Sequence, residues 1–212
     1  MENPQHLYYI IVPEQFTMQT QKNVVEMHPG KGILNIDVLS FQRLAYRIFE
    51  ETGGAREVLL DDTGKSMVLQ KLVQQHRKNL PYLGSQMNKP GYLDEVKSLI
   101  SEFMQYDIRE EELQDMLGKT GEDSLLHMKM QDVGVLYQAF LQYLEGHYMT
   151  GEGVMDALKK AIPFSDKLKK SVLLLDGFTG FTPVQMNVIR ELLNVCDKVL
   201  VTVTMDAGEN PL

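Results

Sequence analysis

Near opposite ends of this chain stand two uninterrupted apolar runs of strand length, Leu7-Tyr-Tyr-Ile-Ile-Val12 and Val172-Leu-Leu-Leu175. A strand that is apolar on both faces has to be covered on both faces. The structure that demands this is a parallel sheet flanked by helices. Pro13 ends the first run, and helical spacing follows over about Thr17 to Met27. The second run closes on an acid, Asp176, and the loop after it leads to a helical pattern at about Pro183–Val195.

The rest of the chain fills in an order. His28-Pro-Gly-Lys-Gly32 reads as a turn from its Pro and Gly content, and Ile33, Leu34, Ile36, Val38 and Leu39 as a second strand. A helix follows from about Phe41 to Thr52, with Phe41, Leu44 and Ile48 on one face, and Gly53-Gly54 ends it. A long helical stretch comes next. Leu69, Leu72, Val73 and His76 keep helical spacing, as do Leu93, Val96, Ile100, Phe103 and Met104, and then Val133, Leu136, Tyr137, Phe140 and Leu144. Strand signal returns only at Val172–Leu175 and Val199–Val203. The fold class expected is therefore α/β, a doubly wound parallel sheet with a helical insertion. Residues 1–60 and 149–212 would form the sheet domain. Residues 61–148 would form an insertion with its own core, to which Leu93, Ile100, Phe103, Val133, Tyr137 and Phe140 contribute. About four strands is few for this architecture, and the Asp206–Leu212 tail lacks a capping element, so a fragment of a longer protein is expected.

Composition narrows the function classes. No apolar run reaches the roughly 20 residues of a membrane span, and the start, Met-Glu-Asn-Pro-Gln-His, lacks the features of a signal peptide. A single cysteine, Cys196, excludes an internal disulfide and a cysteine-ligated iron–sulfur cluster, and reads as a packing residue at a helix end. A reducing cytoplasm is the expected compartment. The five histidines show no metal-ligand spacing, and the 13 methionines suit gap-filling in helical packing. Net charge is −8, which opposes generic coating of DNA. Any contact with nucleic acid would lean on base stacking more than on phosphates.

Asp176 at the end of an aliphatic strand is the layout by which nucleotide-driven motors hold Mg²⁺. In helicases of the first superfamily the corresponding run is Asp-Glu-Phe-Gln-Asp with a Gln further on. Phe178 and Gln185 keep that spacing, but Gly177 stands where the water-activating Glu would be, and Thr179 and Gly180 replace Gln and Asp. A glycine neither orients water nor accepts a proton, so the box reads as a degenerate Walker B element without live Mg²⁺ chemistry. Thr63-Gly-Lys-Ser66 imitates the end of a phosphate-binding loop, yet Leu59 stands where its first glycine belongs, and Asp61 and Asp62 are adjacent. An acidic helix start, capped by Asp61 or Asp62 with Lys65 in the first turn, is the better reading.

Four segments taken together resemble the N-terminal region of the AddB family, one of the two chains of bacterial AddAB-type (RexAB-like) ATP-dependent helicase–nucleases. They are Ile11-Val-Pro-Glu-Gln-Phe-Thr17, Val38-Leu-Ser-Phe-Gln-Arg-Leu-Ala-Tyr-Arg47 closing in Glu51-Thr-Gly-Gly54, Leu59-Leu-Asp-Asp62, and Leu175-Asp-Gly-Phe-Thr-Gly-Phe-Thr-Pro183. The match runs over essentially the whole chain. It implies a RecA-like sheet, the P-loop NTPase-like arrangement, carrying a helical insert. It also implies a heterodimer with an AddA-type helicase–nuclease subunit, repair of double-strand breaks by homologous recombination, and reading of Chi as single-stranded DNA. ATP with Mg²⁺ and a 4Fe–4S cluster would belong to the full-length subunit or complex. No cofactor, no resident metal and no membrane association is expected of this segment.

By the same resemblance the Chi-reading candidates are Gln15, Thr17, Phe41, Arg43, Tyr46, and one of Phe178 and Phe181. Their chemistry suits the task. Gln15 offers a donor and an acceptor to an unpaired base edge, and Thr17 a hydroxyl. Arg43 can pair bidentately with guanine or hold a phosphate, and with Arg47 it would form a cationic stripe. The aromatic rings can stack on bases at roughly 1–3 kcal/mol each. Plain structural roles stand beside these: core packing for Phe41, Tyr46 and Phe178, loop capping for Gln15, and an ion pair with Glu14 for Arg43. Without a phosphate loop, Asp176 reads as a strand-end cap in preference to a holder of live Mg²⁺. Two other functional classes stay open, a working ATPase or nucleoside kinase using Thr63–Ser66 with Asp176, and a purely structural partner-binding domain.

Overall fold

A computed structural model describes residues 6–28, 30, 34–54, 57–87, 89 and 91–203. The chain divides into two compact units, one of Met1–Ala55 with Val154–Leu212 and one of Arg56–Gly153. In chain order the first unit begins with β1 (Leu7–Ile11), a 3-10 turn at Glu14–Phe16, α1 (Thr17–Met27), β2 (Ile36–Leu39) and α2 (Phe41–Thr52). The second unit holds β3 (Val58–Leu59), α3 (Asp62–His76), α4 (Leu83–Gln86), α5 (Tyr92–Gln105), α6 (Glu110–Gly118), α7 (Leu125–Leu144) and β4 (Tyr148–Met149). The chain then returns through α8 (Gly153–Ala161), α9 (Asp166–Lys169), β5 (Ser171–Leu175), α10 (Pro183–Val195) and β6 (Lys198–Val201).

The first unit is a four-stranded sheet in the order β2-β1-β5-β6, parallel throughout. Helices flank it, as a RecA-like arrangement requires. Tyr9 and Ile11 of β1 lie in register with Leu173 and Leu175 of β5, and all four are buried. Local signals fix the ends of α2. The Ser40 hydroxyl accepts from the Arg43 N–H at 3.3 Å, and Gly53 leaves the helix at φ 70°, where a Cβ would be strained. Ser165 and Glu51 close the unit on another side, the hydroxyl donating to the carboxylate at 2.6 Å.

Two strand limits differ from the sequence reading. β2 starts at Ile36 rather than Ile33, and Leu34 is fully exposed. Its partner β1 begins at Leu7, and the first bond across the pair runs from the Tyr8 N–H to the Asn35 carbonyl at 2.8 Å, so Leu34 has no strand beside it. β6 stops at Val201, with Val203 exposed beyond it. Pro29, Lys31, Gly32 and Ile33, and the Asp206–Leu212 tail, lie outside the described residues.

The second unit is helical around its own core. Leu69 and Leu72 of α3, Ile100 and Phe103 of α5, and Val133, Tyr137 and Phe140 of α7 form one buried cluster, with Leu93 packed against it. Phe103 and Tyr137 meet edge-on at 5.4 Å between centroids. A carboxylate sits inside: Asp132 is buried and accepts from the N–H groups of Tyr82 and Leu83 at 2.9 and 2.6 Å, capping α4. Burial pushes its carboxyl up, and these two bonds offset part of that. β3 and β4 form a two-residue parallel pair, Val58 with Tyr148 and Leu59 with Met149. Strands this short leave no period in a sequence, so the unit spans Arg56–Gly153 where helical spacing alone suggests 61–148. Among the described residues no helix is long and apolar enough to cross a membrane.

Candidate nucleic-acid interface

Because every strand of the larger sheet runs the same way, the loops after β1, β2, β5 and β6 emerge at one edge. Open α/β sheets bind ligands at that carboxyl edge. The ladder continues one residue past the strands. The Val12 N–H donates to the Leu39 carbonyl at 3.0 Å, Asp176 to Ile11 at 2.9 Å, and Thr202 to Leu175 at 2.9 Å. Val12, Ser40, Asp176 and Thr202 therefore begin the edge in a row.

The acidic box sits in this row. The Thr202 hydroxyl donates to a carboxylate oxygen of Asp176, so the acid is engaged by its neighbour across the ladder. Gly177 follows at φ 75°, in the left-handed region. A Cβ there would make only ordinary contact with Pro13, at 3.7 Å, so the obstacle to a side chain is the backbone rather than space. Gln185, which keeps a helicase-like spacing, is occupied in a capping box. Its side-chain oxygen accepts from the Thr182 N–H at 3.0 Å, and the Thr182 hydroxyl accepts from the Gln185 N–H at 3.4 Å.

Thr63–Ser66 forms no phosphate cradle. It lies in the first turn of α3, where the Asp61 carboxylate caps the Gly64 N–H at 2.7 Å. A Cβ on Gly64 would fall 2.6 Å from a Leu60 methyl, so Leu60 fills the space against that turn. The Lys65 ammonium is turned inward to Glu152, 2.9 and 3.0 Å from its two carboxylate oxygens. These residues do not fit a nucleotide phosphate.

Three aromatic rings cluster at the edge. Phe41, the first residue of α2, has its centroid 5.6 Å from Phe178 and 6.4 Å from Phe181, and those two lie 4.9 Å apart. Phe41 is only 5% exposed, whereas Phe178 and Phe181 are half-buried. Phe41 is thus the floor of the cluster, and the two rings of the β5–α10 loop are its outer face. Tyr46 stands apart. It packs edge-on against Phe49, about 7–8 Å along the α2 axis from Phe41 at 1.5 Å per residue.

The polar candidates divide as well. Gln15 is exposed in the 3-10 turn after β1. Thr17 is buried, and its hydroxyl donates to the Glu14 carbonyl at 2.9 Å, which fixes the turn. Arg43 reaches across to the same turn, its Nε 3.1 Å from a Glu14 carboxylate oxygen. Arg47 pairs with Asp37 at 2.9 Å, so each member of the expected cationic stripe faces a carboxylate. The turn carries one residue not singled out from sequence. Phe16, beside Gln15, is 48% exposed. Its signal in the sequence is an aromatic next to the candidate amide Gln15 in a strand-end loop, inside the run Ile11–Thr17.

Comparison with known proteins agrees over nearly the full length. Residues 1–211 match the family described as ADDB, N-terminal. The chain is similar to the B subunit of an ATP-dependent helicase/deoxyribonuclease of Lachnoclostridium phytofermentans, 45% identical over 209 residues, covering 99% of this chain and 18% of that protein. Proteins of the same name from Alkaliphilus metalliredigens and Clostridium acetobutylicum are 33% and 34% identical, over 97% and 93% of this chain and 18% and 17% of theirs. The chain thus spans less than a fifth of the length of these curated relatives.

Proposed function

Since the chain belongs to the ADDB N-terminal family, we propose that it is the non-catalytic, DNA-reading and scaffolding domain of an AddB-type helicase/deoxyribonuclease chain. On this reading the parent complex is a cytoplasmic heterodimer with an AddA-type subunit that resects broken DNA ends for recombination. Its ATP chemistry and iron–sulfur cluster belong to parts outside these 212 residues. This domain takes single-stranded DNA across the carboxyl edge of its sheet and discriminates Chi there.

The observation that carries the non-catalytic half is the pair Asp176 and Gly177. The acid is engaged by Thr202, and the residue where a general base would stand has a backbone suited to glycine. The DNA-reading half is supported by the placement of Phe178, Phe181 and Gln15 on loops, and of Arg43 in the first turn of α2, at one edge of the sheet, rings for stacking together with polar groups for base edges. One observation favours the purely structural reading: Arg43 is paired with Glu14 and Phe41 is buried, as packing groups would be. The two readings separate in the purified two-subunit complex. Gln15→Ala, and at least one of Phe178→Ala and Phe181→Ala, should sharply reduce the Chi response while unwinding continues. If they leave it intact and only lower stability, the domain is structural.

A further inference from the structure

Phe16 stands outside every role assigned above. A solvent-facing phenylalanine is ordinary on its own, but this one sits on a constrained backbone at the sheet's ligand edge. The Phe16 N–H donates to the Pro13 carbonyl at 2.9 Å, and the Thr17 hydroxyl locks the next step by bonding to the Glu14 carbonyl at 2.9 Å. The Glu14 carboxylate is held by Arg43 from α2, which ties the turn to a second element. The ring is therefore carried on a pinned turn rather than a loose loop. With 48% of its surface exposed, it presents more than Phe41, which is 5% exposed. Gln15, next in the chain, exposes an amide with both a donor and an acceptor.

We propose that Phe16 is a further DNA-reading residue, a fixed platform on which one unpaired base stacks while the Gln15 amide addresses a base edge. This rests on the DNA-reading function proposed above and extends it. The occupant is a nucleobase because the turn offers one flat apolar face beside a neutral amide, which is what a base with a π-face and a polar edge requires. Rigidity matters because a ring already held in place loses little freedom when the base arrives.

The test uses the full-length subunit purified with its partner, and single-stranded oligonucleotides carrying 2-aminopurine at successive positions through a Chi sequence. Phe16→Ala and Phe16→Leu should both weaken binding by roughly five- to hundredfold and restore 2-aminopurine fluorescence at one position, while Phe16→Tyr keeps both near the native level. Leucine preserving native affinity and quenching would overturn the proposal, because the position then needs only apolar bulk, as a protein contact would. If Gln15→Ala and Phe178→Ala weaken binding while Phe16→Ala does not, the Phe16 platform is wrong and the DNA-reading edge stands. If none of the three matters, both fail.

Discussion

The Thr202 hydroxyl donates a hydrogen bond to the carboxylate of Asp176, one residue beyond the ends of the adjacent strands β6 and β5. An acid that in a motor would serve a metal is here part of the sheet's edge. The next residue, Gly177, turns the chain at φ 75°, in the left-handed region where a side chain would be strained.

Two substitutions follow from that. Asp176→Ala should leave ATP turnover by the intact two-subunit complex unchanged. Gly177→Glu, which restores the missing carboxylate on paper, should add no turnover and should destabilise the domain by about 1–2 kcal/mol, the strain of an L-residue in the left-handed region. Steady-state ATPase rates and denaturant midpoints check both. A gain of turnover in Gly177→Glu would show a latent motor.

In the helical unit, Lys65 and Glu152 form an ion pair with both side chains largely out of water. Removing one partner strands the other. Glu152→Ala should cost on the order of 3–5 kcal/mol, and Lys65→Met with Glu152→Leu should recover most of it. Urea unfolding of the single and double variants measures this. Equal losses in all of them would mean that the two side chains matter only by packing.

The same pair sets a pH dependence. Burial pushes the Glu152 carboxyl up, but the Lys65 ammonium and nearby hydrogen bonds outweigh it, and the carboxyl ends below the ordinary glutamate range. A group lowered on folding stabilises fully above its unfolded value, and that contribution is lost as pH falls through the folded value. Asp132, pushed up by burial, acts in the opposite sense. The difference in stability between the native chain and the Lys65→Met/Glu152→Leu variant should therefore shrink as pH falls below the glutamate range. A difference constant down to strongly acid pH would contradict the ion pair.

Phe140 is 1% exposed at the centre of the helical cluster. Phe140→Ala should cost about 3–5 kcal/mol, read from the denaturant midpoint. A loss under about 1 kcal/mol would mean the cluster relaxes around the cavity.

Much of this architecture is written in the chain because its signals are local and strong. The aliphatic runs at Leu7–Val12 and Val172–Leu175 belong to a buried parallel sheet, and Ser40, Gly53, Thr182 and Pro183 mark the helix ends where α2 and α10 begin or stop. What escaped the sequence depends on partners. Leu34 reads as strand by composition, but β1 does not extend far enough to pair with it. Val58–Leu59 and Tyr148–Met149 pair across a whole helical unit, which no window of sequence contains. At the candidate site, parallel strands imply that the loops share an edge. They do not say that Phe41 lies beneath Phe178 and Phe181, that Thr17 spends its hydroxyl on the turn, or that Glu14 engages Arg43.

The proposed function makes this carboxyl edge a reader of single-stranded DNA. Chi-dependent fragment production by the reconstituted two-subunit complex tests it most directly, with Gln15→Ala, Phe178→Ala and Phe181→Ala introduced singly. Unwinding from a DNA end should persist while Chi-dependent fragments fall sharply for Gln15→Ala and for at least one of the two phenylalanines. Full Chi-dependent fragment production in all three variants would contradict it.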